Sequence, residues 1–376
     1  MKFISSVQDL QDPVNKVFQA CPSKTMDPRF EHIHMSVEPG KLTLSGSDGE
    51  LSITTTVVVE TEDSFVISIN AKTLQDFLRG MYDTSLKISV EREAYYEHGV
   101  VQIMTDKGKY KIPCIFDNKF DIQERDYITS FGLPASEFLS IIQKTIFACS
   151  LDGMRPSMMG VLFEVESGMV TAVSTDGHRL VRYRYHTDVN IQEKIKIVIS
   201  SRVLSILLKC NQVDSMEISI DAEKRFVRFA SGNLTTDASL IVEPFPNYDA
   251  VIPLDHNKIV SINRLQLLDS VRRVGKFSGI GDIKFQLVDN KVNIIAENST
   301  DGEVAVEELS GTYDEEEIVI GFNAKFIEAA LSHIDHENIR MELKSPTTAV
   351  LFKPDTEDEK KVEDFMILVM PIRINC

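Results

Sequence analysis

Asp176 and His178, two apart in the segment TDGHRL, come nearest among the residues of this chain to a catalytic pair. Residues i and i+2 of a strand point to one face, so the carboxylate could orient the imidazole. No Ser or Cys nucleophile is indicated beside them. The sequence also holds no GxxxxGKS/T, GxGxxG, GxSxG or HExxH pattern. His333 and His336, flanked by Asp335 and Glu337, have a metal-like spacing. No third ligand accompanies them, and they fall where a helix should end, which reads as a solvated C-terminal turn. Neither a metal nor a cofactor is expected.

Basic residues offer a different chemistry. The formal charge of −17 argues against a surface that coats nucleic acid all over, because phosphate would be repelled from most directions. The helical segments are nonetheless comparatively basic, carrying Lys16, Lys72, Arg79, Lys144, Arg202, Lys209, Arg272, Arg273, Lys276 and Lys325. Surface helices ordinarily carry Lys and Arg for solubility. Against that ordinary reading, Lys72, Arg202 and Lys325 occupy one register in three similar segments, NAKTLQDFL, SSRVLSILL and NAKFIEAAL. With no base-reading motif beside them, they suit sequence-independent contact with phosphates.

That register belongs to a larger repetition. Asp48-Gly49, Asp176-Gly177 and Asp301-Gly302 lie about 125 residues apart, well above the periods of solenoid repeats. Each pair ends a run of alternating β-type residues and precedes one of the three helical segments by a nearly constant interval. An amphipathic helix opens each copy: VQDLQDPVNKVFQA, ASEFLSIIQKTIFA and NRLQLLDSVRRVGKF. In the second of these, Ser136 after Pro134 reads as the cap. Strand hairpins follow the second helix of every copy. The predicted fold class is therefore α+β, in three tandem domains over residues 1–125, 126–250 and 251–376. FDNKFDIQERDY and VEPFPNYDAVIPLDH are the expected linkers, and PDTEDEKKVED an exposed hairpin loop.

Domains of this size bury their own cores. Cys21, Cys114, Cys149, Cys210 and Cys376 form no CxxC pair, as expected of reduced thiols. Neither an export signal nor eighteen consecutive apolar residues is found, so the expected location is cytoplasmic, with no membrane partner. Two end segments have opposite charge: Lys107, Lys109 and Lys111 alternate in DKGKYKIP, while Glu303, Glu307 and Glu308 crowd GEVAVEEL. Lysines commonly guard an edge strand against aggregation. The functional reading is pairing of the first repeat with the third repeat of a second subunit, head to tail, so that two chains close.

STDGHRL at Ser174–Leu180, PFPNYDAVIP at Pro244–Pro253 and VMPIR at Val369–Arg373, within a chain of three repeats, resemble the bacterial DNA polymerase III beta subunit family, the sliding clamps. The resemblance runs from Met1 to Arg373. It implies a head-to-tail homodimeric ring, helices lining a hole around double-stranded DNA and antiparallel sheets outside. The role would be that of a processivity factor without catalytic activity. It would tether the replicative DNA polymerase, the clamp loader and other proteins with a clamp-binding motif. Lys24, Lys72, Arg79, Arg155, Arg202 and Lys325 would face DNA.

The resemblance also implies a pocket for a partner peptide with apolar anchors. Met158, Thr175, Gly177, His178, Arg179 and Leu180 would come from the second repeat, and Pro246 and Val251 from the linker. Leu368, Met370, Pro371, Ile372 and Arg373 would complete it. Leu180, Val251, Leu368 and Met370 supply apolar area, and Met adapts to different partners. Ala250 replaces a basic residue frequent in the family, and Pro156 and Ser157 stand where some members place tyrosines. The alternatives are a triplicated scaffold that binds partners without DNA, or an enzyme with a site near His178.

Overall fold

The computed structural model describes residues 1–92, 97–116, 125–210, 215–298, 300–355 and 364–373. The first expected linker, the acidic hairpin loop and Cys376 fall wholly or mainly outside them. One order of elements recurs three times: strand, helix, four strands, helix, three strands.

The first copy comprises β1 (Lys2–Ser6), α1 (Val7–Phe18), β2 (His32–Glu38), β3 (Lys41–Ser47), β4 (Leu51–Val58), β5 (Phe65–Asn70), α2 (Ala71–Arg79), β6 (Ser85–Arg92), β7 (His98–Met104) and β8 (Lys109–Phe116). The second comprises β9 (Tyr127–Pro134), α3 (Ala135–Thr145), β10 (Gly160–Glu166), β11 (Met169–Thr175), β12 (Arg179–His186), β13 (Ile195–Ser200), α4 (Ser201–Lys209), β14 (Ser215–Asp221), β15 (Phe226–Ser231) and β16 (Leu234–Ser239). The third comprises β17 (Lys258–Asn263), α5 (Arg264–Val274), β18 (Asp282–Val288), β19 (Lys291–Asn298), β20 (Glu303–Ser310), β21 (Ile318–Asn323), α6 (Ala324–Ser332), β22 (Asn338–Leu343), β23 (Val350–Pro354) and β24 (Asp364–Val369).

The α+β class and the triplication match expectation, with two corrections. A strand, not a helix, opens each copy. These strands sit at sheet ends and run without a break into their helices, so periodicity alone does not separate them from the helix start. Ser136 is the second residue of α3 rather than its cap, because β9 runs on through Pro134. Side-chain caps do hold the second helices at one register: Asn70 Oδ1 accepts from Thr73 N at 3.1 Å, Ser200 Oγ from Val203 N at 3.3 Å and Asn323 Oδ1 from Lys325 N at 3.0 Å.

The chain divides into two compact units, residues 1–138 with 205–240 and residues 139–204 with 241–376. In the first, one antiparallel sheet runs β1-β6-β7-β8-β5-β2-β3-β4-β16-β15-β14-β9. Helices α1 and α2 bury Val7, Leu10, Val14, Val17, Leu74 and Leu78 in its core. In the second unit one sheet runs β13-β10-β11-β12-β24-β23-β22-β17 and another β20-β19-β18-β21. Helices α5 and α6 bury Leu267, Leu268, Val271, Ile327 and Leu331. Burial of these apolar stripes is the main favourable term in holding each layer.

Within each unit, sheets of successive copies join edge to edge: β4 pairs with β16, and β12 with β24. The two junctions share one register. Met370 N donates to His178 O at 2.8 Å and Ser239 N to Glu50 O at 2.8 Å, the acceptor in both cases being the residue after the Asp-Gly pair.

Candidate functional site

The recurrent Asp-Gly turns are built from the same bonds. Asp48 Oδ1 accepts from Glu50 N and Leu51 N at 2.9 and 2.7 Å, and Asp176 Oδ1 from His178 N and Arg179 N at 2.9 and 3.0 Å. Gly49, Gly177 and Gly302 all have positive φ, a conformation cheap only for glycine. The third turn differs. Asn298 there bonds Asp301 and accepts from Gly302 N through its carbonyl.

These bonds dispose of an Asp176–His178 catalytic pair. Both carboxylate oxygens of Asp176 are committed, one to backbone amides and one to Arg179 Nε at 2.9 Å. Exposed His178 lies flat against Phe326, with ring centroids 5.8 Å apart. His333 differs from the solvated turn expected of it: its ring stacks on Phe147 at 3.8 Å, and Nδ1 meets Ala329 O. Among the described residues no three His, Cys, Asp or Glu side chains come together as metal ligands.

The residues around the second turn converge on one apolar site. Leu180 on β12 stands opposite Leu368 on β24, each 2 % exposed. Around them cluster Leu162, Val173, Val198, Leu351 and Met366, capped by Tyr248, Phe245 and Ile252 of the 242–256 linker. Over this buried floor the wall is open: Val251 is 53 % and Met370 40 % exposed, and Pro246, Pro371 and Ile372 are half-buried. Thr175 donates to Arg179 O at 2.7 Å, and Ile372 N to Gly321 O at 2.9 Å, fixing two sides. Arg179 reaches Phe147 O at 2.8 Å and lies over the rings of Phe147 and Phe326. Met158 is half-buried in a 3-10 turn begun by Pro156, and Arg373 is exposed. Floor residues such as Leu162, Val198, Leu351 and Tyr248 escaped the sequence reading, because apolar strand residues look like any core.

The floor is one-sided. At the equivalent places of the other junction, Ser52 stands opposite Asp237, and Arg228 replaces Leu351. Arg228 grips Asp237 at 2.7 and 3.1 Å, and Tyr127 donates to it at 2.6 Å. A polar triad around buried Asp237 stands there where leucines stand here.

Lys72, Arg202 and Lys325 are each exposed and each second in their helices. No acidic residue shares these first turns, so the cations stand where the helix dipole opposes them, at a cost of about 0.3–1 kcal/mol each. Most other basic helix residues are neutralised at home: Lys16 by Asp12, Arg272 by Glu328, Arg273 by Glu307 and Lys144 by Asp335. Lys72, Arg79 and Lys325 have no such partner among the described residues. Lys24 is exposed in the loop after α1. Arg155 sits against Gly177, where an added Cβ would meet its Nη1 at 3.2 Å, so it borders the apolar site.

The end strands need one correction. Lys107 is not on the strand with Lys109 and Lys111; it lies in the preceding turn, over the Tyr82 ring at 4.4 Å. The glutamates have different neighbours. Glu307 turns to α5, bonding Arg273 and Ser270, and the Arg273 guanidinium holds its carboxyl below the usual range, whereas Glu308 meets Lys291 on the other side.

Three repeats of one α+β unit, joined strand to strand, with an apolar site at the second junction, define a processivity-clamp architecture. Family models for the DNA polymerase III beta subunit match residues 1–121 by the N-terminal domain, 132–247 by the central domain and 249–373 by the C-terminal domain. The chain belongs to that family, the DNA sliding clamps. The beta sliding clamp of Pseudomonas aeruginosa is 25% identical over the full length of both chains. Solved clamps of P. aeruginosa and Bartonella birtlesii, both bound to griselimycin, share the fold. They are 24% and 21% identical, with TM-scores of 0.91 and 0.90 and full coverage of both chains. No helix among the described residues is long and apolar enough to cross a membrane.

Proposed function

We propose that two copies of this chain close head to tail into a ring around duplex DNA and hold replication and repair proteins at the Leu180–Leu368 site. The observation that carries the ring is the open third junction. β4 is covered by the last strand of the second copy and β12 by the last strand of the third, while β20 ends its sheet.

The equivalent last strand is β8. Val198–Ile241, Gly321–Ile372 and Ser68–Ile115 are matching bridges, so Lys111 takes the place of Leu368 and Asp237. Carried to a second subunit, the shared register sets Ala305 opposite Lys111, Val306 opposite Tyr110 and Glu307 opposite Lys109. Val304, Val306 and Tyr110 are exposed apolar residues with that pairing still to make. Only Pro113, which has no N–H, departs from the donors at Met370 and Ser239.

Helices α2, α4 and α6 contact phosphates through Lys72, Arg202 and Lys325, with Lys24, Arg79 and Arg155 contributing. A closed link needs no tight grip, and weak phosphate contacts permit sliding. Partners are the polymerase, the clamp loader and other proteins bearing a short motif with apolar anchors, which seat on Leu180, Leu368, Val251 and Met370. Thr175, Gly177, His178, Arg179, Pro246 and Met158 line the site, closed by Pro371, Ile372 and Arg373. The protein performs no catalysis, works in the cytoplasm and comprises domains over 1–125, 126–250 and 251–376. Solution mass and retention on DNA test the reading: a dimer kept on circular but released from linear duplex is expected. Equal escape from both overturns it.

A further inference from the structure

Tyr248 lies in the irregular linker, yet it is 7 % exposed, with its ring in the apolar floor. Its hydroxyl donates to Glu164 Oε2 at 3.1 Å. Glu164, itself 6 % exposed on β10, is held from the other side by its cross-strand neighbour Lys196 and by Lys194 at 3.3 Å. The acceptor is therefore fixed, charged and deep. We propose that this hydroxyl–carboxylate bond is the strut that sets the linker wall of the peptide site, making Tyr248 a positioning residue for partner binding. The inference rests on the peptide-site reading above.

Little else can place that wall. Pro244, Pro246 and Pro253 donate no backbone hydrogen bonds, and the short turn after Tyr248 is closed only by long bonds, Val251 N to Tyr248 O at 3.3 Å and Ile252 N to Asp249 O at 3.4 Å. Phe245 and Ile252 pack on the floor, but apolar contact has no direction and lets a segment slide. A bond to a carboxylate has both direction and strength. Pro246 and Val251 flank Tyr248 closely, so a shift of its ring moves both. His256, through Nε2 to Ala349 O at 3.3 Å, ties the far end and leaves the stretch between to Tyr248.

Griselimycin titrated calorimetrically into the full chain is the probe. Tyr248→Phe keeps the ring and removes the bond. It is expected to weaken binding by about tenfold, the worth of one such bond, with amide exchange accelerated only at residues 249–252. Glu164→Gln keeps an acceptor but a neutral one, and is expected to weaken binding less than Tyr248→Phe, by about threefold. The proposal is overturned if Tyr248→Phe binds like the parent, if Glu164→Gln loses as much, or if exchange accelerates throughout the second unit with a matching fall in melting temperature. A parent chain that does not bind, or that binds equally after Met370→Asp, overturns the site itself and the strut with it.

Discussion

Leu180 and Leu368 face each other across two strands that come from different copies of one repeat, and neither is open to solvent. The pair is the buried floor on which an anchor would rest, so its loss and the loss of the open wall above it have separate consequences. Leu180→Ala is expected to cost about 2–5 kcal/mol of stability through the cavity it leaves. Met370→Asp, at a half-open position, is expected to leave the melting temperature nearly unchanged while weakening griselimycin at least about 30-fold, as for a central anchor. Thermal melts and calorimetry on both variants separate the two; equal effects on stability refute the division.

The matching pair at the first junction is polar. Asp237→Leu alone strands Arg228 and is expected to destabilise the first unit by about 1–3 kcal/mol. Arg228→Leu combined with Asp237→Leu is expected to recover most of that, because a well-packed apolar pair often replaces a buried ion pair at no cost. Urea denaturation of the single and double variants measures the difference.

A subunit boundary made by strand pairing depends on outward backbone donors. Lys111→Pro removes the N–H assigned to Ala305 O and is expected to give a folded monomer at concentrations where the parent is dimeric. Lys109→Glu, opposite Glu307, is expected to weaken association by only a few-fold, the usual worth of one cross-strand charge pair, about 0.2–1 kcal/mol. Sedimentation equilibrium distinguishes these outcomes, and a dimeric Lys111→Pro variant rules out the register.

DNA contact through phosphates fixes the effect of salt. Reversing Lys72, Arg202 and Lys325 to Glu together is expected to lower retention on circular duplex and to flatten its salt dependence, by about 0.9 in logarithmic slope for each phosphate no longer neutralised. Dimer mass and griselimycin affinity should not change. Loss of all three functions together would mean that the substitutions disturb the fold.

Burial alone would raise the Glu164 carboxyl, but Lys196, Tyr248 and Lys194 together bring it below the ordinary 4.5. The unfolded chain then holds this proton more tightly than the folded one, so the group stabilises the fold above the ordinary value and ceases to do so as pH falls through the folded one. Glu164→Gln is expected to lessen the drop in melting temperature between about pH 5 and pH 3. An unchanged drop assigns the acid sensitivity to other carboxyls.

The triplication, the α+β class and the helical segments were readable because local rules produce them: Asp-Gly turns that need positive φ, and apolar periodicity. Leu180, Leu368 and Met370 were legible only through motifs shared with a family. Other site features were hidden. Nothing local says that Leu351 and Val198 meet Leu180, or that Tyr248 finds Glu164 across 84 residues. The bond that turns Glu307 toward Arg273 also arises from a neighbour distant in sequence, whereas the turn that removes Lys107 from its strand is local, closed between Thr105 and Gly108.

The sequence by itself determined three like modules, the basic residue at one register of each second helix, and the turn that starts the fourth strand of each copy. Only the tertiary structure decided which junction became an apolar site and which became an ion-paired one. Strand pairing brings residues from different copies into opposition, and what faces what across β12–β24 or β4–β16 is a property of register, which no single segment carries.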